Sequence, residues 1–231
     1  MIVDAQSVKM FTAKQESISE EKFFVLYHPP LIFEGPSISR EALFQKFNIP
    51  ENAKIILTVS RLVPEKGHEY LIRAAAEVIK KFPDAHFLIV GWGSLEQNLK
   101  SQIETLKREK NIILTGRMDI KDVLLYADIY VEPAVVVDVG IAMLEAMKAK
   151  KPIVATNVGE ISVFIQNEKN GFLVPPKDEH ALTERISILL SNAELRTTMG
   201  ERSGEIIAQY TIGGYMRTFE DLVFKSVVAK R

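Results

Sequence analysis

The chain has 231 residues, of which 47% are hydrophobic and 26% are charged, and its formal net charge is −1. These values are typical of a soluble globular protein with a sizeable core, and the mixing of acidic and basic residues disfavours a nucleic-acid binder. The sequence contains no cysteine, which excludes disulfide frameworks, thiolate metal sites and cysteine nucleophiles.

Membrane and secretory segments are not evident in the sequence. The longest apolar run, around residues 131–147, is interrupted by Glu132, Asp138 and Glu145, and it falls short of the ~20 apolar residues of a membrane span. The first residues lack the basic flank and the apolar stretch of a secretory signal. We therefore expect a cytoplasmic protein, with peripheral attachment to a membrane only through a partner.

The first 54 residues form the least regular part of the sequence. Pro29, Pro30, Pro36 and Pro50 punctuate it, which favours a connector over a core. Residues 22–27 are compatible with one strand.

From Ile55 onward, short apolar runs alternate with helical patterns. The predicted strands cover residues 55–59, 86–90, 112–114, 129–131, 153–155 and 172–174, and helices are predicted at residues 68–81 and 95–109. Such alternation predicts an α/β fold, with a Rossmann-like parallel sheet that carries helices on both faces. Ligands of these sheets bind at the carboxyl ends of the strands.

Three further helices are predicted after Pro175 and Pro176, at residues 179–190, 193–209 and 215–229. In the last of them, apolar side chains fall on one face at helical spacing; they are Tyr215, Phe219, Leu222, Val223 and Val227. This apolar face must pack against something.

Two cations lie between the first strand of the alternating region and its helix, in the run SRLVPEKG at residues 60–67. Arg61 and Lys66 are suited to neutralise a phosphate or diphosphate, because arginine offers a fork of donors and lysine a point charge. The alternative is that both side chains are simply solvated in a loop.

Gly140 and Glu145 form the second candidate site. Gly140 opens a predicted helix, where backbone N–H groups and the helix dipole attract anions. Glu145 lies inside an apolar segment and could accept hydrogen bonds from a ribose diol. A structural ion pair between Glu145 and Arg61, or another cation, is the alternative.

Secondary candidates are Gly91 and Gly93, which follow the strand at residues 86–90, and Arg117. The two glycines suit a tight turn near a ligand but lack the third glycine of the dinucleotide fingerprint. The sequence contains no Asp-x-Asp triplet and no pair of histidines at metal-ligand spacing. We therefore expect neither a metal nor another cofactor.

Together these motifs resemble the C-terminal half of a GT-B glycosyltransferase of family 4, the group that includes glycogen synthases and mannosyltransferases. The matching segments are SRLVPEKG at 60–67, FLIVGWG at 87–93, LEAM at 144–147, KPIVAT at 151–156, NGFLVPP at 170–176 and ELR at 194–196. They occur in the family's order over about residues 50–230.

The resemblance implies two Rossmann-like domains that face a cleft, with the C-terminal one holding a UDP-, GDP- or ADP-sugar. It implies that Arg61 and Lys66 stabilise the donor diphosphate and that Glu145 contacts the ribose. It also implies sugar transfer with retention of configuration and without an obligatory metal.

One departure from the family concerns the donor sugar. The family has a first glutamate eight positions before the one that matches Glu145, and that position is Val137 in this sequence. Asp138 follows it and could substitute through a shifted loop, but we favour loss or weakening of the sugar contact. The catalytic residue therefore stays unassigned.

The other departure is length, since the family's N-terminal acceptor domain has no counterpart here. We expect residues 1–50 to be the end of that domain and the interdomain connector, residues 51–208 the nucleotide-sugar-binding domain, and residues 209–231 a C-terminal crossover helix. Donor binding without efficient transfer is expected, unless another polypeptide supplies the acceptor side of the cleft.

Three functions remain open at this point. The first is the donor-binding half of a hexosyltransferase. The second is a non-catalytic interaction or regulatory module that has lost its sugar site, and the third is a sugar-nucleotide epimerase, which the motifs fit less well. An exposed crossover helix further predicts an acceptor-domain partner or self-association.

Overall fold

The computed structural model describes residues 1–30, 35–136 and 139–228. The strands are β1 (Ile2–Val3), β2 (Phe24–Val25), β3 (Lys54–Val59), β4 (Ala85–Val90), β5 (Ile112–Gly116), β6 (Ile129–Glu132), β7 (Ile153–Thr156) and β8 (Gly171–Val174). The helices are α1 (Gln6–Gln15), α2 (Arg40–Lys46), α3 (His68–Lys81), α4 (Glu96–Leu106), α5 (Lys121–Leu124), α6 (Ile141–Lys148), α7 (Ile161–Phe164), α8 (Glu179–Ser191), α9 (Ala193–Ile207) and α10 (Ile212–Val228).

Strands β3 to β8 form one parallel sheet in the order β5-β4-β3-β6-β7-β8. The Rossmann-like α/β sheet expected from the sequence is therefore confirmed. Because the strand order reverses between β3 and β6, the carboxyl ends of these two neighbours form a topological switch point. Ligand sites of open α/β sheets lie at such points.

Helices cover both faces of the sheet, and strand residues alternate between two hydrophobic clusters. One cluster holds Leu57 and Tyr130 together with Met143 of α6. The other holds Ile56 and the apolar face of α3, including Leu71. The near-continuous apolar strands are explained by this burial on two sides.

The helices after β3 and β4 show how local sequence sets their bounds. The helix α3 covers the predicted residues, and Gly67 precedes it in the left-handed region at φ 66°. The helix α4 ends at Leu106, earlier than predicted, because Lys107 adopts a left-handed conformation at φ 54°.

The N-terminal region differs from the sequence expectation. Only Phe24–Val25 of the predicted strand at residues 22–27 is extended, and it pairs with β1 in a separate parallel sheet. The helices α1 and α2 were not predicted. Leu43 and Phe44 of α2 are buried in the same cluster as α6, so the packed core begins before residue 51, where the sequence placed its start.

The C-terminal helix α10 keeps much of its apolar surface in solvent. Met216 is 46% exposed and Phe219 is 38% exposed. His28 from the N-terminal segment contacts Tyr215, with ring centroids 5.8 Å apart, so that segment covers only part of the apolar face. Within the described residues, no helix is long and apolar enough to cross a bilayer.

Candidate functional site

Three loops meet at the carboxyl ends of β3, β5 and β6, beside the topological switch point. They carry Arg61 and Lys66 after β3, Arg117 after β5, and Gly140 after β6. The loop at residues 60–67 is held by backbone contacts to the loops after β4 and β6.

The turn after β4 holds one side of the loop at residues 60–67. Leu62 donates its backbone N–H to the Trp92 carbonyl at 2.9 Å, and Leu95 donates to the Leu62 carbonyl at 3.0 Å. A Cβ on Gly91 would lie 1.9 Å from the Ser60 carbonyl oxygen, and one on Gly93 would lie 2.4 Å from the Leu62 oxygen. Gly91 and Gly93 thus allow two backbones to touch, which places Arg61.

The loop after β6 holds the other side of the same segment. Val135 and Val136 donate backbone N–H groups to the Glu65 carbonyl at 2.7 and 3.1 Å. Gly67 has a φ of 66°, and a Cβ there would lie 2.0 Å from the Pro133 carbonyl oxygen. Glycine is required at position 67 both by conformation and by space.

His68, the first residue of α3, contacts the loop at residues 60–67, which we call the cation-bearing loop. Its Nε2 lies 3.1 Å from the Arg61 carbonyl oxygen and 3.0 Å from Ser60 Oγ. Because a carbonyl only accepts, Nε2 is assigned the proton. Burial lowers the pKa of His68 to about 4, so the ring is neutral near pH 7. The neutral ring holds the loop through its contacts with the Arg61 carbonyl and Ser60 Oγ.

The two cations themselves are available to a ligand. Arg61 is exposed and Lys66 is partly exposed. Across the described ranges, neither side chain forms an ion pair within 4.0 Å of a carboxylate. The ion pair between Arg61 and Glu145, which the sequence left open, is therefore absent from these residues.

The helix α6 begins directly after its N-cap residue Gly140, with no side-chain cap and no acidic residue in its first turn. Its first N–H groups are therefore left to other partners. Gly140 has an ordinary φ of −78°, so backbone freedom is not the reason for the glycine. A Cβ there would lie 3.3 Å from both Glu132 Oε2 and Met143 Cβ, so the residue leaves room for a carboxylate beneath the helix end.

Glu145 lies in an open cleft of about 640 Å³ between the loop after β5 and α6. The cleft is lined by Val59, Arg117, Met118, Asp119, Ile120, Ile141, Ala142 and Glu145. Burial raises the pKa of Glu145 to about 7, with a further contribution from Asp119. The structure thus joins Arg117 and Glu145 in one cleft, whereas Arg61 and Lys66 do not line it.

A second buried carboxylate was missed as a candidate from the sequence. Glu132 ends β6, is 2% exposed, and its Oε2 accepts from the Tyr130 hydroxyl at 3.4 Å. Its Oε1 is buried and has no hydrogen-bond partner within the described residues. The signal available in the sequence was an acidic residue at the end of an apolar strand, which was read only as an interruption of the apolar run.

Val137 and Asp138 lie outside the described residues. The expectations that the sugar contact is lost at Val137, or taken over by Asp138, stay predictions. No group of three metal-ligating side chains occurs within the described ranges.

Comparison with known proteins places this architecture in a family. The family model for group 1 glycosyl transferases matches residues 39–205. The chain therefore belongs to the group 1 glycosyltransferase family, and the resemblance to GT-B enzymes is confirmed.

Similar proteins transfer sugars in bacteria. The chain is 29% identical over 177 residues to the alpha-D-kanosaminyltransferase of Streptomyces kanamyceticus, covering 75% of this chain and 46% of that protein. It is 28% identical over 201 residues to the Escherichia coli UDP-Gal:alpha-D-GlcNAc-diphosphoundecaprenol alpha-1,3-galactosyltransferase, covering 85% and 52%. The chain thus spans about half the length of these curated relatives.

A solved structure extends the likeness to nearly the whole chain. An S. aureus TarM variant, in complex with fondaparinux, alpha-GlcNAc-glycerol and UDP, is similar with a TM-score of 0.77 at 25% identity. The match covers 96% of this chain and 43% of that chain.

Proposed function

We propose that the chain is the nucleotide-sugar-binding half of a retaining, metal-independent hexosyltransferase. The observation that carries the proposal is the pair of cations, Arg61 and Lys66, on a loop held by backbone contacts at the switch point of a glycosyltransferase fold. Neither cation is paired with a carboxylate within the described residues. Their positive charge suits a donor diphosphate.

The proposed pose places the other groups around the donor. The diphosphate lies between the cations and the uncapped start of α6 at Gly140, where N–H groups and the helix dipole add to the attraction. Glu145 accepts hydrogen bonds from the ribose in the cleft that Arg117 also lines. Because Arg61 and Lys66 supply the positive charge, no metal is needed to neutralise the phosphates.

Transfer to an acceptor requires a second binding surface beside the donor site. The chain spans only about half the length of its relatives. An acceptor must be held in near-attack geometry against the donor sugar, and we assign that role to an acceptor domain or partner polypeptide. The exposed apolar face of α10 is the surface we propose for such an association, or for self-association. The UDP of the TarM complex and the UDP-Gal of the E. coli relative make UDP-sugars the first donors to test.

A second candidate is a non-catalytic module derived from the same fold. Val137 favours it, because the family has a glutamate there. Such a module would keep the packing of the sheet and α10 but would bind nucleotide sugars weakly or not at all.

Calorimetric titration separates the two candidates. The purified chain is titrated with UDP, GDP and ADP and with their glucose and mannose conjugates, in the presence of a metal chelator. We expect one nucleotide series to bind, and Lys66→Ala to weaken it at least about tenfold, as loss of a charged hydrogen bond does. Lys100→Ala on α4 is the matched control, because it removes the same charge from an exposed position that is not part of the candidate site. Absence of binding by every nucleotide at millimolar concentration would favour the non-catalytic module.

A further inference from the structure

Glu132 occupies an unusual position for an acidic side chain. It ends β6 directly beneath the start of α6, so close that a Cβ on Gly140 would lie 3.3 Å from its Oε2. It is 2% exposed, and its Oε1 has no hydrogen-bond partner within the described residues. A buried carboxylate with an unsatisfied oxygen opposes folding unless it is protonated or serves a ligand.

The groups that act on Glu132 come from three elements. From its own strand, Tyr130 donates a long hydrogen bond to Oε2 and shares the same hydroxyl with the Val59 carbonyl at 3.4 Å. From the loop after β3, the ammonium group of Lys66 favours the ionised carboxylate. From α6, Glu145 adds negative charge next to Tyr130, and Asp119 in turn acts on Glu145.

Lys66 is therefore shared between two anions once a donor binds. In the free protein its charge stabilises the Glu132 carboxylate. When a diphosphate binds at Lys66, the negative charges of the phosphate and of the Glu132 carboxylate act on the same ammonium group. Protonation of Glu132 removes that repulsion, and burial has already raised the pKa of this group to about 7.

We propose that Glu132 is a positioning residue of the donor site that takes up a proton from solvent when the diphosphate binds, and so leaves the charge of Lys66 to the phosphates. The inference rests on the proposed nucleotide-sugar function and adds a coupled proton to it. Sugar nucleotides should then bind more tightly below neutral pH than above it.

The test is calorimetric titration of the chain with the glucose and mannose conjugates of UDP, GDP and ADP at about pH 6, about pH 7.5 and about pH 8.5. Two buffers of different ionisation enthalpy are compared at about pH 7.5, where a pKa that rises from about 7 by about one unit gives the largest proton uptake. Sugar nucleotides are the right probes, because their phosphate diesters do not titrate in this range, unlike the terminal phosphate of UDP. We expect net proton uptake on binding. If the ligand raises the Glu132 pKa by about one unit, affinity should fall by up to about tenfold across the range.

Glu132→Gln keeps the shape of the side chain and removes its titration. We expect this variant to bind the ligand with little dependence on pH and without the proton uptake attributed to Glu132. Glu104→Gln on the exposed surface of α4 is the matched control, since it removes a carboxylate outside the candidate site and should leave the Glu132 uptake in place.

The possible outcomes distinguish failure of this inference from failure of the proposed function on which it rests. Failure of the wild type to bind any of these UDP-, GDP- and ADP-sugars would refute the proposed function, and the inference with it. Equal net proton uptake in the wild type and in a folded Glu132→Gln protein would overturn the role of Glu132 alone, because any uptake by Glu145 is common to both proteins.

Discussion

The two sides of the candidate site differ in charge and in exposure to solvent. The cation-bearing loop at residues 60–67 presents Arg61 and Lys66 to solvent, and its shape comes from backbone contacts. On the other side, Glu132 and Glu145 are 2% and 5% exposed, and burial raises the pKa of each to about 7. The cations should therefore contribute to ligand binding at little expense to folding, whereas the carboxylates oppose folding at alkaline pH.

The largest effect should come from the backbone fit of the cation-bearing loop. In Gly67→Ala, the new Cβ would meet the Pro133 carbonyl oxygen at 2.0 Å, and the residue must also keep a positive φ. We expect a loss of about 4 kcal/mol or more in the free energy of unfolding. Gly116→Ala is the control, because Gly116 has a φ of 70° but no atom within 4 Å of the Cβ position; it should lose only about 1 kcal/mol. Equal losses in urea denaturation would show that the close contact is not what fixes the loop.

The buried carboxylate of Glu132 should make the free energy of unfolding depend on pH. A group whose pKa rises from 4.5 to about 7 on folding stabilises the fold fully below pH 4.5, and this contribution is lost as pH rises through 7. Glu132→Gln should thus be more stable than the wild type at pH 8.5, by up to about 3 kcal/mol, with a much smaller difference at pH 5.

Urea denaturation at the two pH values measures this effect, with Glu104→Gln on the exposed surface of α4 as control. A gain from Glu132→Gln that is the same at both pH values would contradict the burial of an ionisable group there.

The role of Glu145 is tested by ligand affinity rather than by the stability of the fold. If its carboxylate accepts from the ribose, the wild type should prefer a ribonucleotide over its 2′-deoxy analogue by about 1 kcal/mol, the usual size of one hydrogen bond. Glu145→Gln should lose most of that preference. An unchanged ratio of the two dissociation constants would remove Glu145 from the ribose contact.

The smallest effect is expected at α10, which contributes none of the candidate-site residues. Its exposed apolar face predicts weak, concentration-dependent self-association, which sedimentation velocity over a wide concentration range measures. Phe219→Gln should reduce it, while Asp221→Asn on the opposite side of the helix should not. A monomer at all concentrations would exclude self-association through this face.

Local patterns in the sequence were sufficient for much of the fold. The bounds of α3 follow from a helical apolar face that begins after Gly67, and each strand of the main sheet follows from a short apolar run. The helix α2 was missed because it is short and lies among prolines; only its burial against the α6 cluster gives it a place in the core.

The candidate site was predictable only where its residues are neighbours in sequence. Arg61 and Lys66 share one loop, so their common position was evident. The role of Gly91 and Gly93 depends on contact with residues 60–62 of another loop, and that of Gly140 depends on Glu132. Glu132 itself was missed because its place at the end of an apolar strand was read only as an interruption of the apolar run, and its burial depends on packing between β6 and α6.

The most direct test of the central claim compares two ligands on one variant. Calorimetry of UDP and uridine, or of the matching pair for the base that binds, is carried out on the wild type and on Lys66→Ala. We predict that the variant loses at least about tenfold in affinity for the diphosphate, as expected for a charged contact, while nucleoside affinity and folding stability stay unchanged. Equal losses for both ligands, or no loss for either, would contradict a diphosphate site at Lys66.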